Sequence, residues 1–140
     1  MQSAYDKIQF FKLGQKQKNQ IIRKLKRTLA HEEHVKLAII FGSLTTRENI
    51  RDIDIAICTV PTLAFKELLN LNAQIELDLA KPVDLVELRN LSKTFQTNIL
   101  ENGILIKGKR ALLHQLLNEA QTKTANREKI SNKHATKTRL

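Results

Sequence analysis

Residues 52–57, Asp-Ile-Asp-Ile-Ala-Ile, constrain this chain more than any other stretch. Alternation with period two is a strand pattern, and it sends Ile53, Ile55 and Ile57 to one face and Asp52 and Asp54 to the other. The isoleucines can anchor the strand in a core. The acids cannot, and two like charges on neighbouring same-face positions are unfavourable unless a cation lies between them. Such a pair gains nothing structural in an otherwise apolar strand, so it asks for a chemical explanation, and a divalent metal supplies one.

Upstream, residues 35–41 form a second apolar strand that stops at Gly42-Ser43, and a polar connection leads from there to Asp52. A third strand is expected over 82–88, where Asp84 is again a lone acid among apolar neighbours. The remaining segments read as helices. Residues 3–30 carry Ile8, Phe11 and Leu13, then Ile21, Ile22, Leu25 and Leu29, with Gly14 as a break between two pieces. Pro61 is a helix opener for 62–80, spaced through Leu63, Phe65, Leu68, Leu69, Leu71, Ile75, Leu77 and Leu79. Ser92 caps a helix over 93–101 whose buried face is Phe95, Ile99 and Leu100. Asn102-Gly103 turns into a short strand at 104–106, and 110–120 makes a last amphipathic helix through Leu112, Leu113, Leu116 and Leu117. Strands alternating with helices predict an α/β (α+β) fold, a small mixed sheet with helices packed on it. Residues 1–120 are expected to be one domain, with 121–140 a basic, disordered tail that has almost no apolar residues.

The net charge of +10 is uneven: residues 1–30 hold eight Lys/Arg against one acid, and 107–140 hold nine against two, whereas 31–106 hold seven against eleven. The candidate site therefore lies in an acidic centre between basic ends. The Lys and Arg of 16–27 read most simply as a solvated helix face. With aromatic residues at 4% and none interleaved among the basic ones, platforms for stacking bases are few, so nucleic acid is not favoured as a partner. His31-Glu32-Glu33-His34 lacks the four-residue histidine spacing of a helical zinc site and reads as a polar turn. The longest apolar run, Leu37–Phe41, is far too short to span a membrane, and the N-terminus has no apolar core of a secretory signal. A single cysteine, Cys58, suits a reducing compartment, so the cytoplasm is the expected location.

If the second and third strands are neighbours, Asp84 joins Asp52 and Asp54 across the ladder at about 5 Å. Three carboxylates at one end of a sheet suit a hard cation such as magnesium, with manganese as the alternative ion, which completes its shell with substrate phosphates. Paired ions of that kind serve an in-line displacement at phosphorus. Gly42-Ser43 adds the complementary half, because glycine admits close backbone approach and the groups that follow can hold a phosphate.

Phe41-Gly42-Ser43, Asp52-Ile53-Asp54 and Val83-Asp84-Leu85, in that order, resemble the polymerase-β-type nucleotidyltransferase superfamily, and more narrowly its minimal nucleotidyltransferases, the MNT or MntA-like group. The likeness covers about 35–107 and includes Leu-Glu-Asn-Gly-Ile-Leu-Ile at 100–106. It implies a polymerase-β-like fold in which Gly42 and Ser43 bind nucleotide phosphates and Asp52, Asp54 and Asp84 bind metal. Asp84 would also help to activate the acceptor hydroxyl. It further implies ATP as the nucleotide and a HEPN-family toxin as the partner, with the chain an antitoxin that transfers AMP to a toxin tyrosine. The connection 44–51 departs from the family pattern by lacking its usual Ala-Arg-Gly, with Arg47 the candidate replacement for the family arginine. Two other readings remain open: transfer to a small hydroxyl compound in a pocket completed by a homo-oligomer, and a non-catalytic module that binds a toxin or RNA.

Overall fold

The computed structural model describes residues 11–12, 14–42, 44 and 49–122. Its elements, in order, are β1 (Phe11–Lys12), α1 (Gln15–Ala30), β2 (Val35–Phe41), β3 (Asn49–Ile50), β4 (Ile53–Thr59), α2 (Phe65–Leu79), β5 (Val83–Glu87), a 3-10 turn (Leu88–Asn90), α3 (Lys93–Asn102) and β6 (Ile104–Lys107). A final helix, α4, runs over 110–122.

Four strands make one mixed sheet in the order β5-β4-β2-β6. β2 is antiparallel to both β4 and β6, whereas β4 and β5 are parallel and joined through α2. The apolar periodicity of each strand then fills two cores, one on each face. Ile53, Ile55 and Ile57 of β4 meet Ile21, Leu25 and Leu29 of α1 and Leu71, Ile75 and Leu79 of α2. On the other face, Leu37, Ile39, Ala56 and Cys58 meet Ile99 and Leu100 of α3, with Leu112, Leu113, Leu116 and Leu117 of α4 packed against them. β2 serves both cores by alternation, Ala38 and Ile40 facing the first and Leu37 and Ile39 the second, and the register shift between Val35 and Leu37 puts Val35 on the first side too.

Several expectations need correction. Phe11 and Lys12 are not helical: they pair with Ile50 and Asn49 of β3, in a two-stranded ribbon crossing what reads as a polar connection. The helix starts after Gly14, whose N–H donates to Gln17 Oε1 at 2.6 Å. Pro61 does not open α2. The Val60–Pro61 peptide is cis, Leu63 N–H donates to Thr59 Oγ1, and the first turn is capped by Glu67, which accepts from Ala64 N–H at 3.1 Å. Phe95 is not part of the buried face of α3; it is 46% exposed, and Gln96, Ile99 and Leu100 are the buried residues there. α4 runs two residues past the expected end of the domain, and Gln121 donates to Glu101 at 2.9 Å. The expected tail beyond residue 122 and the segment before Phe11 lie outside the described residues. Among the described residues, no helix is long and apolar enough to cross a membrane.

The Ser92 cap is present, its Oγ accepting from Phe95 N–H at 3.2 Å. The His31–His34 stretch is a turn, as its polarity suggests, and its Glu32 carbonyl accepts from Val35 N–H and from Lys107 Nζ.

Candidate active site

The end of β2 and the beginnings of β4 and β5 lie at one end of the sheet. The ladder sets Asp54 directly beside Asp84 on the neighbouring parallel strand, and beside Phe41 on the antiparallel one. Asp52 directly precedes β4. Ile53 N–H donates to Pro82 O at 3.0 Å, which locks the start of β4 to the start of β5. With Ile53 and Ile55 in the α1–α2 core, strand alternation turns Asp54 to the opposite face, the side of Ala56 and Cys58. Asp84 follows the same logic between Val83 and Leu85.

Asp52 and Asp54 are half-buried and Asp84 is exposed. Among the described residues, no Lys or Arg forms an ion pair with any of the three; the one ion pair joins Arg89 to Glu87. Burial pushes the Asp54 carboxyl up to about 6, and the charges of Asp84 and then Asp52 push the same way. A cation would relieve that strain, and the donor set, carboxylate oxygens alone, fits a hard divalent ion. Among the described residues, no group of three or more Asp, Glu, His or Cys side chains is placed to hold a metal ion. Magnesium does not require such a group, because it takes one or two carboxylates and leaves the rest of its shell to water and substrate phosphate.

Gly42 ends β2 at φ +75°, and a β-carbon there would collide with Asp54 Oδ2. The glycine thus lets the backbone turn tightly over the carboxylate, the close approach that the sequence suggests. Ser43 and residues 45–48, Arg47 included, lie outside the described residues.

Three nearby residues escape sequence reasoning. Asn72 of α2 accepts from Leu85 N–H through Oδ1 at 2.8 Å and donates to Glu76 at 2.9 Å. It ties the outer edge of β5 to α2 one residue from Asp84. Asn72 is one of three amides in α2, with Asn70 and Gln74, so nothing in the local sequence singles it out. Phe41, half-buried, stands next to Asp54 in the ladder, and Phe95 meets it edge-to-face at 5.8 Å between ring centres. These rings form an apolar wall at the acidic end of the sheet. A phenylalanine within an apolar strand, or at helical spacing, carries no mark that separates a site wall from core.

Comparison with known proteins follows this geometry. The family described as polymerase β, nucleotidyltransferase, matches residues 23–111. No curated protein matches the chain. Solved structures do. A chain from the MntA–HepT toxin–antitoxin complex is 24% identical with a TM-score of 0.58, covering 86% of this chain and 97% of that one. A chain from a toxin–antitoxin structure with AMP-PNP is 25% identical with a TM-score of 0.61, covering 83% and 96%. A chain from the complex of tri-AMPylated Shewanella oneidensis HEPN toxin with MNT antitoxin is 25% identical with a TM-score of 0.58, covering 85% and 96%.

Proposed function

The chain belongs to the polymerase β nucleotidyltransferase family, and on that basis we propose that it is an antitoxin that transfers AMP from ATP to a tyrosine hydroxyl of a HEPN-type toxin. The single observation that carries the reading is the pairing of Asp54 with Asp84 in the ladder, beside Asp52 and under the turn at Gly42. The choice of nucleotide and acceptor is supported by similarity to chains from a structure with AMP-PNP and from a complex with an AMPylated HEPN toxin.

In this mechanism Asp52, Asp54 and Asp84 would hold divalent metal, with magnesium the natural ion for an all-oxygen donor set. When bound, such an ion neutralises phosphate charge and stabilises the departing pyrophosphate. The chain's own groups do the remaining work. Gly42 and Ser43 position the triphosphate, and the apolar wall of Phe41 and Phe95 excludes water from one side of the site. The acceptor oxygen forms a bond to the α-phosphorus, the bond from that phosphorus to the pyrophosphate oxygen breaks, and the hydroxyl proton passes to Asp84. The products are an AMP ester on the partner and pyrophosphate. Asp84, the most exposed of the three acids, is the one an acceptor outside the domain can reach.

The test is mass spectrometry of the partner toxin after incubation with this protein, ATP and magnesium. Added AMP units are expected on tyrosine, and none with Asp54→Asn or Asp84→Asn. Label found only on RNA or on a small hydroxyl compound would overturn the acceptor. Transfer at the parental rate by Asp54→Asn would overturn the metal site.

A further inference from the structure

α2 buries Leu71, Ile75 and Leu79, yet its opposite side is also apolar. Phe65, Leu69 and Leu77 are 75%, 52% and 83% exposed, and Ala73 between them is exposed as well. Spaced four apart, these residues form one ridge along a helix about 22 Å long. Exposed large apolar residues in a continuous row, unlike scattered single ones, mark a contact surface. The charges nearest this ridge are Lys66 at its N-terminal end and, at its C-terminal end, the half-buried Glu76, one of whose oxygens already accepts from Asn72.

We propose that this ridge is where a second copy of the chain docks, with the two α2 helices antiparallel. The sequence is self-complementary about residue 71. In an antiparallel pair centred there, Phe65 faces Leu77, Leu69 faces Ala73, and Lys66 faces Glu76, each twice by the two-fold symmetry. Ala73 leaves the space that Leu69 of the other copy fills, and opposed helix dipoles favour the same orientation. α2 covers the sheet face away from Asp54 and Ala56, so this contact leaves the acidic end of the sheet open to its acceptor. A single helix pair buries less than the about 800 Å² per partner of a standard interface, so the dimer is weak and concentration-dependent.

The experiment is sedimentation velocity of the full chain from low to high micromolar concentration, with each variant's melting curve recorded to confirm folding. A monomer–dimer equilibrium is expected. Leu69→Glu should weaken it about tenfold or more, which is at least 1.4 kcal/mol. Lys66→Glu alone should also weaken it, and the double variant Lys66→Glu/Glu76→Lys should restore it. A chain that stays monomeric throughout would overturn the proposal. So would a dimer indifferent to Leu69→Glu, or a charge swap that fails to restore association.

Discussion

Gly42 turns over Asp54 so closely that no β-carbon fits between them. Its φ of +75° is a conformation that glycine adopts freely and alanine adopts at a cost of about 1–2 kcal/mol. Gly42→Ala therefore strains the end of β2 and displaces the Asp54 carboxylate together. The expected result is a fall in melting temperature of about 4–8 °C. Nucleotide transfer should fall further, by about a hundredfold, because the displaced group is one that must be positioned. Melting and transfer rate measured on one preparation check both halves. A variant that lost stability but kept its rate would separate Gly42 from the site.

Asp54 predicts an unusual pH dependence. Its carboxyl titrates at about 6 in the folded chain, above the about 3.9 of an unfolded one. Between those values the native state holds a proton that the unfolded state has released, so stability declines as pH rises through the window and the loss is complete above it. Asp54→Asn removes the charge while keeping the shape. Without metal, the variant should melt above the parent at pH 7.5 and close to it at pH 4. Added magnesium should raise the melting temperature of the parent and leave the variant unmoved. Thermal melts with a chelator and then with magnesium decide it; a variant less stable than the parent at pH 7.5 would contradict the repulsion.

Much of this was readable from residues whose chemistry and periodicity disagree. An acid inside an isoleucine strand has one face to go to, so Asp54 and Asp84 could be expected to meet if their strands were neighbours, and the ladder supplies that adjacency and register. What stayed hidden lacks a local pattern. Phe11–Lys12 is too short for any period, and its partner Asn49–Ile50 lies far along the chain, so only the folded state defines the ribbon. In α2 the apolar residues recur on both sides of the helix. Helical spacing alone cannot tell Leu71, which is buried, from Leu69 and Leu77, which are not. Phe95 reads as core for the same reason, although it packs on Phe41 at the rim of the sheet.

Lys107 holds the C-terminus of α1. Its ammonium donates to the carbonyl of Leu29 in the last turn of the helix at 2.7 Å and to that of Glu32 in the turn that follows at 2.8 Å, adding to the backbone N–H groups that these carbonyls accept. Burial, with Lys36 nearby, moves its pKa down from the ordinary lysine value, and the charged form is the one that favours the helix end. Lys107→Met keeps the length of the side chain and loses both bonds. A destabilisation of about 1–2 kcal/mol is expected, read as a lower denaturant midpoint with unchanged slope. Transfer activity should be unaffected at temperatures where the variant is folded.

The end of β4 and β5 remote from the acids is held by Glu87, 5% exposed yet charged. Its Oε2 accepts from Thr59 Oγ1 at 2.8 Å, and its Oε1 accepts from Arg89 Nε at 3.0 Å. Arg89 Nη2 reaches on to Thr59 O and, at 3.1 Å, to Thr62 Oγ1, so one carboxylate organises the strand end and the loop that leads into α2. Removing only the acid leaves the guanidinium without its countercharge and the Thr59 hydroxyl without its acceptor. Glu87→Ala should therefore cost about 1–3 kcal/mol, mostly from the buried Thr59 groups left without an acceptor, because Arg89 is 39% exposed and its charge stays hydrated. Replacing both partners by apolar side chains of similar size removes the orphaned charge as well as the bond. Glu87→Leu/Arg89→Met should accordingly be more stable than Glu87→Ala, and the two substitutions should not add. Urea unfolding of the parent, of Glu87→Leu and Arg89→Met singly, and of the double variant measures the coupling directly. Strict additivity would show that Glu87 and Arg89 act independently, and that the buried carboxylate is sustained by Thr59 alone.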